Sequence, residues 1–194
     1  MDILLIYQFC TFGGVERVIL NRAQAYRKYG VDVKISIGYL ADRGALQSFS
    51  TYIQRHNLQA QVMPFLFPQD LAHDWAKYDY VFIIDTPQVF EASASAKNVH
   101  VECHSLYTQS RQYLHNLPKH IKSVIVPSNS LKQLLQTEHE GLPEIYILPN
   151  PVSDEYFDIQ PLEKKYLYAS SHYLLCSCRR SQKILLKRRA YLKP

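Results

Sequence analysis

Short apolar runs alternate along this chain with segments whose apolar positions recur at helical spacing. Ile3-Leu4-Leu5-Ile6-Tyr7 is a continuous apolar run, the pattern of a strand covered on both faces. A glycine-containing loop, 8–14, follows. Val15, Val18, Ile19, Ala23 and Tyr26 then mark one face of a helix, and Gly30 is its stop signal. Residues 31–37 read as a second strand, 45–56 as a helix, and 61–65 as a third strand stopped by Pro64 and Pro68. Residues 80–84 form a strand that ends at Asp85, and 99–101 a short one that leads to His104. Residues 105–116 are helical in composition. A strand at 123–126 closes at Pro127, and Ser128 or Ser130 caps a helix with Leu131, Leu134 and Leu135 on one face. A last strand, 145–148, closes at Pro149.

Strands separated by single helices require right-handed crossovers and a parallel sheet. The expected fold is therefore α/β, a doubly wound Rossmann-like parallel sheet. Ligands of such sheets bind beyond the carboxyl ends of the strands. The loops at 8–14, 85–88, 102–105, 127–129 and 149–151 then share one functional rim.

Charge divides the chain. Its 194 residues carry a formal +5, which would suggest an anionic partner if spread evenly. Residues 1–162 hold 13 Lys and Arg against 16 Asp and Glu, a net −3, while 163–194 hold 9 against one, a net +8. The basic excess belongs to the end of the chain, so it says nothing of a nucleic-acid partner for the body. The 47% apolar content excludes a disordered chain. Four cysteines, widely separated and without a CxxC pair, argue against a disulfide scaffold and fit a reducing cytosol. No run reaches the roughly 18 apolar residues of a membrane span. The expected location is cytoplasmic, with at most peripheral contact with the inner face of the membrane.

The rim carries the candidate chemistry. Gly13-Gly14 at a strand-to-helix turn permits close approach to the backbone, and the helix behind it offers free N–H groups and a positive dipole end. The pair lacks the patterns of the nicotinamide and ATP loops, and it can equally be plain turn geometry. Arg17 can meet an anion or simply pair with Glu16 in solvent. His104 can donate, accept or shuttle a proton, or serve as a loop-end hydrogen-bonder. Asp85 can hold a ligand hydroxyl or cap a helix. Cys103, next to His104, points to the other side of its strand end and reads as buried packing rather than as a nucleophile. Cys176-Ser177-Cys178 with His172 lacks the spacing of a zinc site, and no metal is expected.

The order of these pieces resembles the N-terminal, acceptor-side domain of the GT-B glycosyltransferases, in the family-4-like group. Phe12-Gly13-Gly14-Val15-Glu16-Arg17-Val18 looks like that family's GG-x-E-R loop and helix. His104-Ser105 matches its strand-to-loop step, and Val124-Ile125-Val126-Pro127-Ser128 its V-x-x-S strand and helix start. Ile147-Leu148-Pro149-Asn150-Pro151-Val152 is similar to the I-P-N-G-V-D segment leading into the second domain, with Pro151 and Ser153 departing from Gly and Asp.

The resemblance implies a sugar transfer that retains configuration. It uses a nucleotide-sugar co-substrate and no metal or other cofactor. The acceptor would be a glycan or lipid-linked molecule in cell-surface polysaccharide or glycolipid assembly. By position it puts Gly13, Gly14 and Arg17 near the donor phosphate or the acceptor, with Asp85 and Ser105 on the same rim. His104 would lie at the transferred sugar as the catalytic candidate, and Asn150 in the interdomain hinge. The resemblance stops near residue 160. Residues 1–160 are expected to form the domain, and 161–194 a basic tail with the character of a truncated or out-of-frame remnant of the donor domain; a basic membrane-adhering helix is the alternative. The tail holds no E-x7-E pair, so the isolated chain is expected to be inactive. The competing reading is a non-catalytic glycan-binding module, or one half of an enzyme whose donor domain is encoded separately.

Overall fold

In β1 (Asp2–Cys10) alternate residues enter opposite layers, which explains its unbroken apolar run. Ile3 and Leu5 join a core with Ile19 and Ala23 of α1 (Gly14–Lys28), while Leu4 and Ile6 join Val81, Ile83 and Leu131 on the other face. This computed structural model describes residues 1–64 and 74–152. The expectations for Pro68, for His172, Cys176 and Cys178, and for the boundary at residue 160 and the tail fall outside them.

The other elements are β2 (Lys34–Asp42), α2 (Leu46–Arg55), β3 (Ala60–Pro64), β4 (Tyr80–Ile84), β5 (Val99–Glu102), β6 (Ile121–Val126), α3 (Asn129–Glu138) and β7 (Glu144–Ile147). Among the described residues, seven strands pair in parallel in the order β3-β2-β1-β4-β5-β6-β7. This is the doubly wound α/β fold expected, and Met1–Val152 forms one compact unit. The order reverses between β1 and β4. In doubly wound sheets such a reversal marks a ligand crevice beyond the carboxyl ends, which here falls between the loops at Gly13 and Asp85.

Three local differences have physical causes. β2 begins at Lys34 rather than Val31, because the end of α1 draws the following residues back. Gly30 (φ 66°) donates to Arg27 O and Val31 to Tyr26 O, a double closure that needs the left-handed glycine. The strand then runs on through Gly38, Tyr39 and Leu40 to Asp42, whose Oδ1 accepts the N–H groups of Gly44, Ala45 and Leu46 at the start of α2. Residues 105–116 are not an α-helix: Thr108–Asn116 forms 3-10 turns. The segment lacks a continuous apolar stripe, and the buried Arg111 guanidinium pins it to Ser105 O, Thr108 Oγ1 and the Glu138 carboxylate. At α3, Ser128 is the cap, its hydroxyl accepting Leu131 N–H at 3.2 Å.

Candidate functional site

α1 and β5 build the centre of the rim. Arg22 follows Val18 and Ile19 on the buried stripe of α1, so a guanidinium is carried into the interface between helix and sheet. Val99 and Val101 of β5 face the opposite layer, which turns Glu102, the last strand residue, toward α1. The two side chains meet in a bidentate ion pair, Arg22 Nη1 to Glu102 Oε1 at 2.6 Å and Nη2 to Oε2 at 3.0 Å. The Glu102 side chain is wholly buried.

His104, two residues on in extended chain, returns to the same side, and its Nε2 lies 3.1 Å from Glu102 Oε2. Cys103, between them, packs into the apolar core of the other face. Burial pushes its thiol up to about 12, which suits packing rather than nucleophilic chemistry. Burial alone would also raise the Glu102 carboxyl. The hydrogen bonds from His104 and Arg22, with the charge on Arg22, outweigh it and hold the group below its usual value.

Asp85 clamps this loop from β4. It sits at φ 41°, a left-handed backbone that aspartate tolerates better than most side chains. Its Oδ2 accepts the His104 backbone N–H at 3.0 Å and its Oδ1 the Tyr113 hydroxyl at 2.8 Å. Burial pushes its carboxyl above the ordinary value despite these donors. A ligand hydroxyl at Asp85 would have to share oxygens already in use. Ser105 is likewise engaged, its hydroxyl accepting Tyr107 N–H at 3.2 Å.

Across the crevice, Gly13 caps α1 with no side chain of its own, and Glu16 supplies the carboxylate. Its Oε1 accepts both the N–H (2.6 Å) and the hydroxyl (3.0 Å) of Thr11. A β-carbon on Gly13 would lie 2.8 Å from Thr11 Oγ1 and 2.9 Å from Glu16 Oε2, whereas one on Gly14 would meet nothing within 4 Å. A side chain at Gly13 would therefore have to displace the Thr11 hydroxyl and the Glu16 carboxylate from their contacts. The buried Glu16 carboxylate also puts negative charge beside the helix N-terminus, where a phosphate would be repelled. Tyr7, on β1, connects the two sides: burial, then Glu16 and Asp85, raise the value of its hydroxyl.

Arg17 is exposed on the first turn of α1, and Asn150 is exposed in the segment leaving β7. That segment is held to the domain by α1, through Asn21 Nδ2 donating to Pro151 O at 2.9 Å. Phe12, Leu106 and Tyr107 stand exposed in the two rim loops.

The structure thus joins Asp85 and His104 directly, and keeps the Gly13-Gly14 loop on the facing side. Sequence reasoning missed Arg22, Tyr113 and the part played by Glu102. Arg22 had a readable signal, a charge on the apolar stripe of a helix. A separate open cleft of about 540 Å³, lined by Lys132, His139 and Glu144 among others, lies where α3 ends and β7 begins. It is at the amino-terminal end of the strands, remote from the rim. Among the described residues, no group of three His, Cys, Asp or Glu side chains is placed to hold a metal, and no helix is long and apolar enough to cross a membrane.

No protein-family model and no curated protein matches the chain. Among solved structures, it resembles a crystal structure of a glycosyltransferase from Rickettsia africae ESF-5, with TM-score 0.54 and 18% identity. The match covers 89% of this chain and 49% of that one. The chain spans about half the length of that glycosyltransferase, and the likeness is one of fold: a parallel Rossmann-like sheet with flanking helices.

Proposed function

We propose that the chain is the acceptor-side half of a glycosyltransferase of GT-B type, similar to the family-4-like group. It takes a glycan or lipid-linked acceptor in its rim crevice, and a donor half supplied by further polypeptide brings the nucleotide sugar. The observation that carries this reading is the doubly wound sheet with His104 backed by a buried carboxylate beside its switch point, in a fold resembling a glycosyltransferase twice as long. An imidazole so placed can accept or return a hydroxyl proton. The Glu16 carboxylate beside Gly13 favours a neutral, hydroxyl-rich ligand over a phosphate on that side, and so supports the acceptor as the occupant of the Gly13-Gly14 loop. Stabilising the nucleotide leaving group would fall to the donor half.

The test uses the whole chain with a panel of oligosaccharide and lipid-linked acceptors, read by saturation-transfer NMR, and with nucleotide sugars, read by nucleotide release. Glycan binding that His104→Ala weakens at least tenfold, with no release above background by the chain alone, is expected. Turnover by the isolated chain would refute the need for a second half, and absence of glycan binding would refute the acceptor role.

A further inference from the structure

Glu102 serves no purpose that stability alone would require. A buried ion pair recovers its desolvation cost only with good geometry, and apolar residues of similar volume commonly do as well. Among the described residues, the carboxylate, at the end of a strand and beneath the rim, hydrogen-bonds with two groups. One is Arg22, which grips both of its oxygens. The other is the ring of His104, at 3.1 Å through Nε2. With Arg22 donating two charge-assisted hydrogen bonds, the carboxylate stays ionised and can only accept. Nε2 of a neutral His104 must then carry the ring proton. The other nitrogen, Nδ1, is left as a lone pair, and among the described residues it has no hydrogen-bond partner. The backbone end of the same residue is held separately, by Asp85 Oδ2 on its N–H. Two carboxylates from neighbouring strands thus fix His104 at both ends, one its main chain and one its tautomer.

We propose that Glu102, kept ionised by Arg22, is a positioning residue that locks His104 in the Nε2–H tautomer, so that Nδ1 faces the rim as a hydrogen-bond acceptor for a ligand hydroxyl. The ligand class rests on the reading given above; the tautomer lock does not. The arrangement is directional. It equips His104 to receive a proton from a hydroxyl, or to hold a sugar hydroxyl by its lone pair. It does not equip the neutral ring to donate to an oxyanion from the same nitrogen. A neutral polyol suits the site, in keeping with the Glu16 carboxylate across the crevice.

The experiment is long-range ¹H–¹⁵N correlation NMR of the uniformly ¹⁵N-labelled full chain at pH 8, where an ordinary imidazole is neutral. The His104 signals are assigned by their loss in His104→Gln. In the wild type, Nε2 should resonate in the pyrrole-type range and Nδ1 in the imine-type range. Arg22→Met/Glu102→Met removes the acceptor together with its counter-charge and should free the ring to exchange between tautomers, drawing the two ¹⁵N shifts toward each other. A wild-type ring in the Nδ1–H form or an even mixture would overturn the proposal, and so would unchanged shifts in the folded double variant. The wild-type spectrum decides even where the variant fails to fold. A Glu102 that merely supported packing would leave the tautomer unmoved. Because no substrate is present, failure of the lock and failure of glycan binding are separate results, and the second counts only against the proposed function.

Discussion

Replacing Arg22 with methionine removes the charge and leaves the bulk. Glu102 is wholly buried and holds Arg22 through two contacts at 2.6 and 3.0 Å, so the variant strands a carboxylate that keeps, among the described residues, only His104 as a hydrogen-bond partner. Breaking a buried pair from one side costs roughly 3–5 kcal/mol. With a urea slope of about 2 kcal/mol per M, the unfolding midpoint at pH 7 should fall by about 2 M. The pH dependence gives an independent check. In the wild type Glu102 is held below its ordinary value of 4.5. Its contribution to stability is therefore complete above about pH 4.5 and is lost as the pH falls through the folded-state value. In Arg22→Met, burial acts with less opposition and raises the carboxyl, so the folded variant binds a proton more readily than the unfolded chain. Its deficit should shrink as the pH drops from 7 to 5. Urea melts followed by far-UV circular dichroism at both pH values measure this. The double variant Arg22→Met/Glu102→Met, which removes both charges, should recover most of the loss. A pH 7 deficit under about 1 kcal/mol, or one that stays constant between pH 7 and 5, would refute the reasoning.

Two further outcomes follow from packing. Gly13→Ala drives a β-carbon against Thr11 and Glu16 and should destabilise by about 1 kcal/mol through the loss of their hydrogen bonds, while Gly14→Ala, in open space, should be neutral or slightly stabilising; equal melting temperatures for the two would be a contrary result. Cys10 and Cys103 are fully buried with thiols pushed up to about 11 and about 12, so iodoacetamide at pH 8 should modify them only in denaturant, as read by mass spectrometry of their peptides; fast alkylation of native Cys103 would contradict its assignment to the core.

Much of the architecture is written in local pattern. Strands covered on both faces favour apolar runs such as Ile3–Tyr7, and each of the seven observed strands overlaps a segment read as a strand. The errors lie where a specific contact overrides local preference. Residues 105–116 have helical composition, yet Arg111 must reach Glu138, 27 positions away, and the segment coils into 3-10 turns instead. Val31 looked like the start of a strand, but its N–H is used to close α1. His104, Asp85 and Gly13 were legible as candidates because a residue that follows a parallel strand lies on the rim wherever the strand sits. Glu102 was visible only as part of a loop. Its significance depends on Arg22, 80 positions earlier.

The sequence by itself determined which residues end on the rim, since alternation along a strand and the turn after it are local matters. It determined too that Arg22 shares a helix face with Val18 and Ile19. Only the tertiary structure decided that β1 lies between β2 and β4, which opens the crevice between the Gly13 and Asp85 loops. Only the tertiary structure decided, too, that the buried charge of α1 meets the end of β5. A buried ion must find its counter-ion or be excluded, and which counter-ion lies within 3 Å is set by strand order, a property that no local stretch of the chain contains.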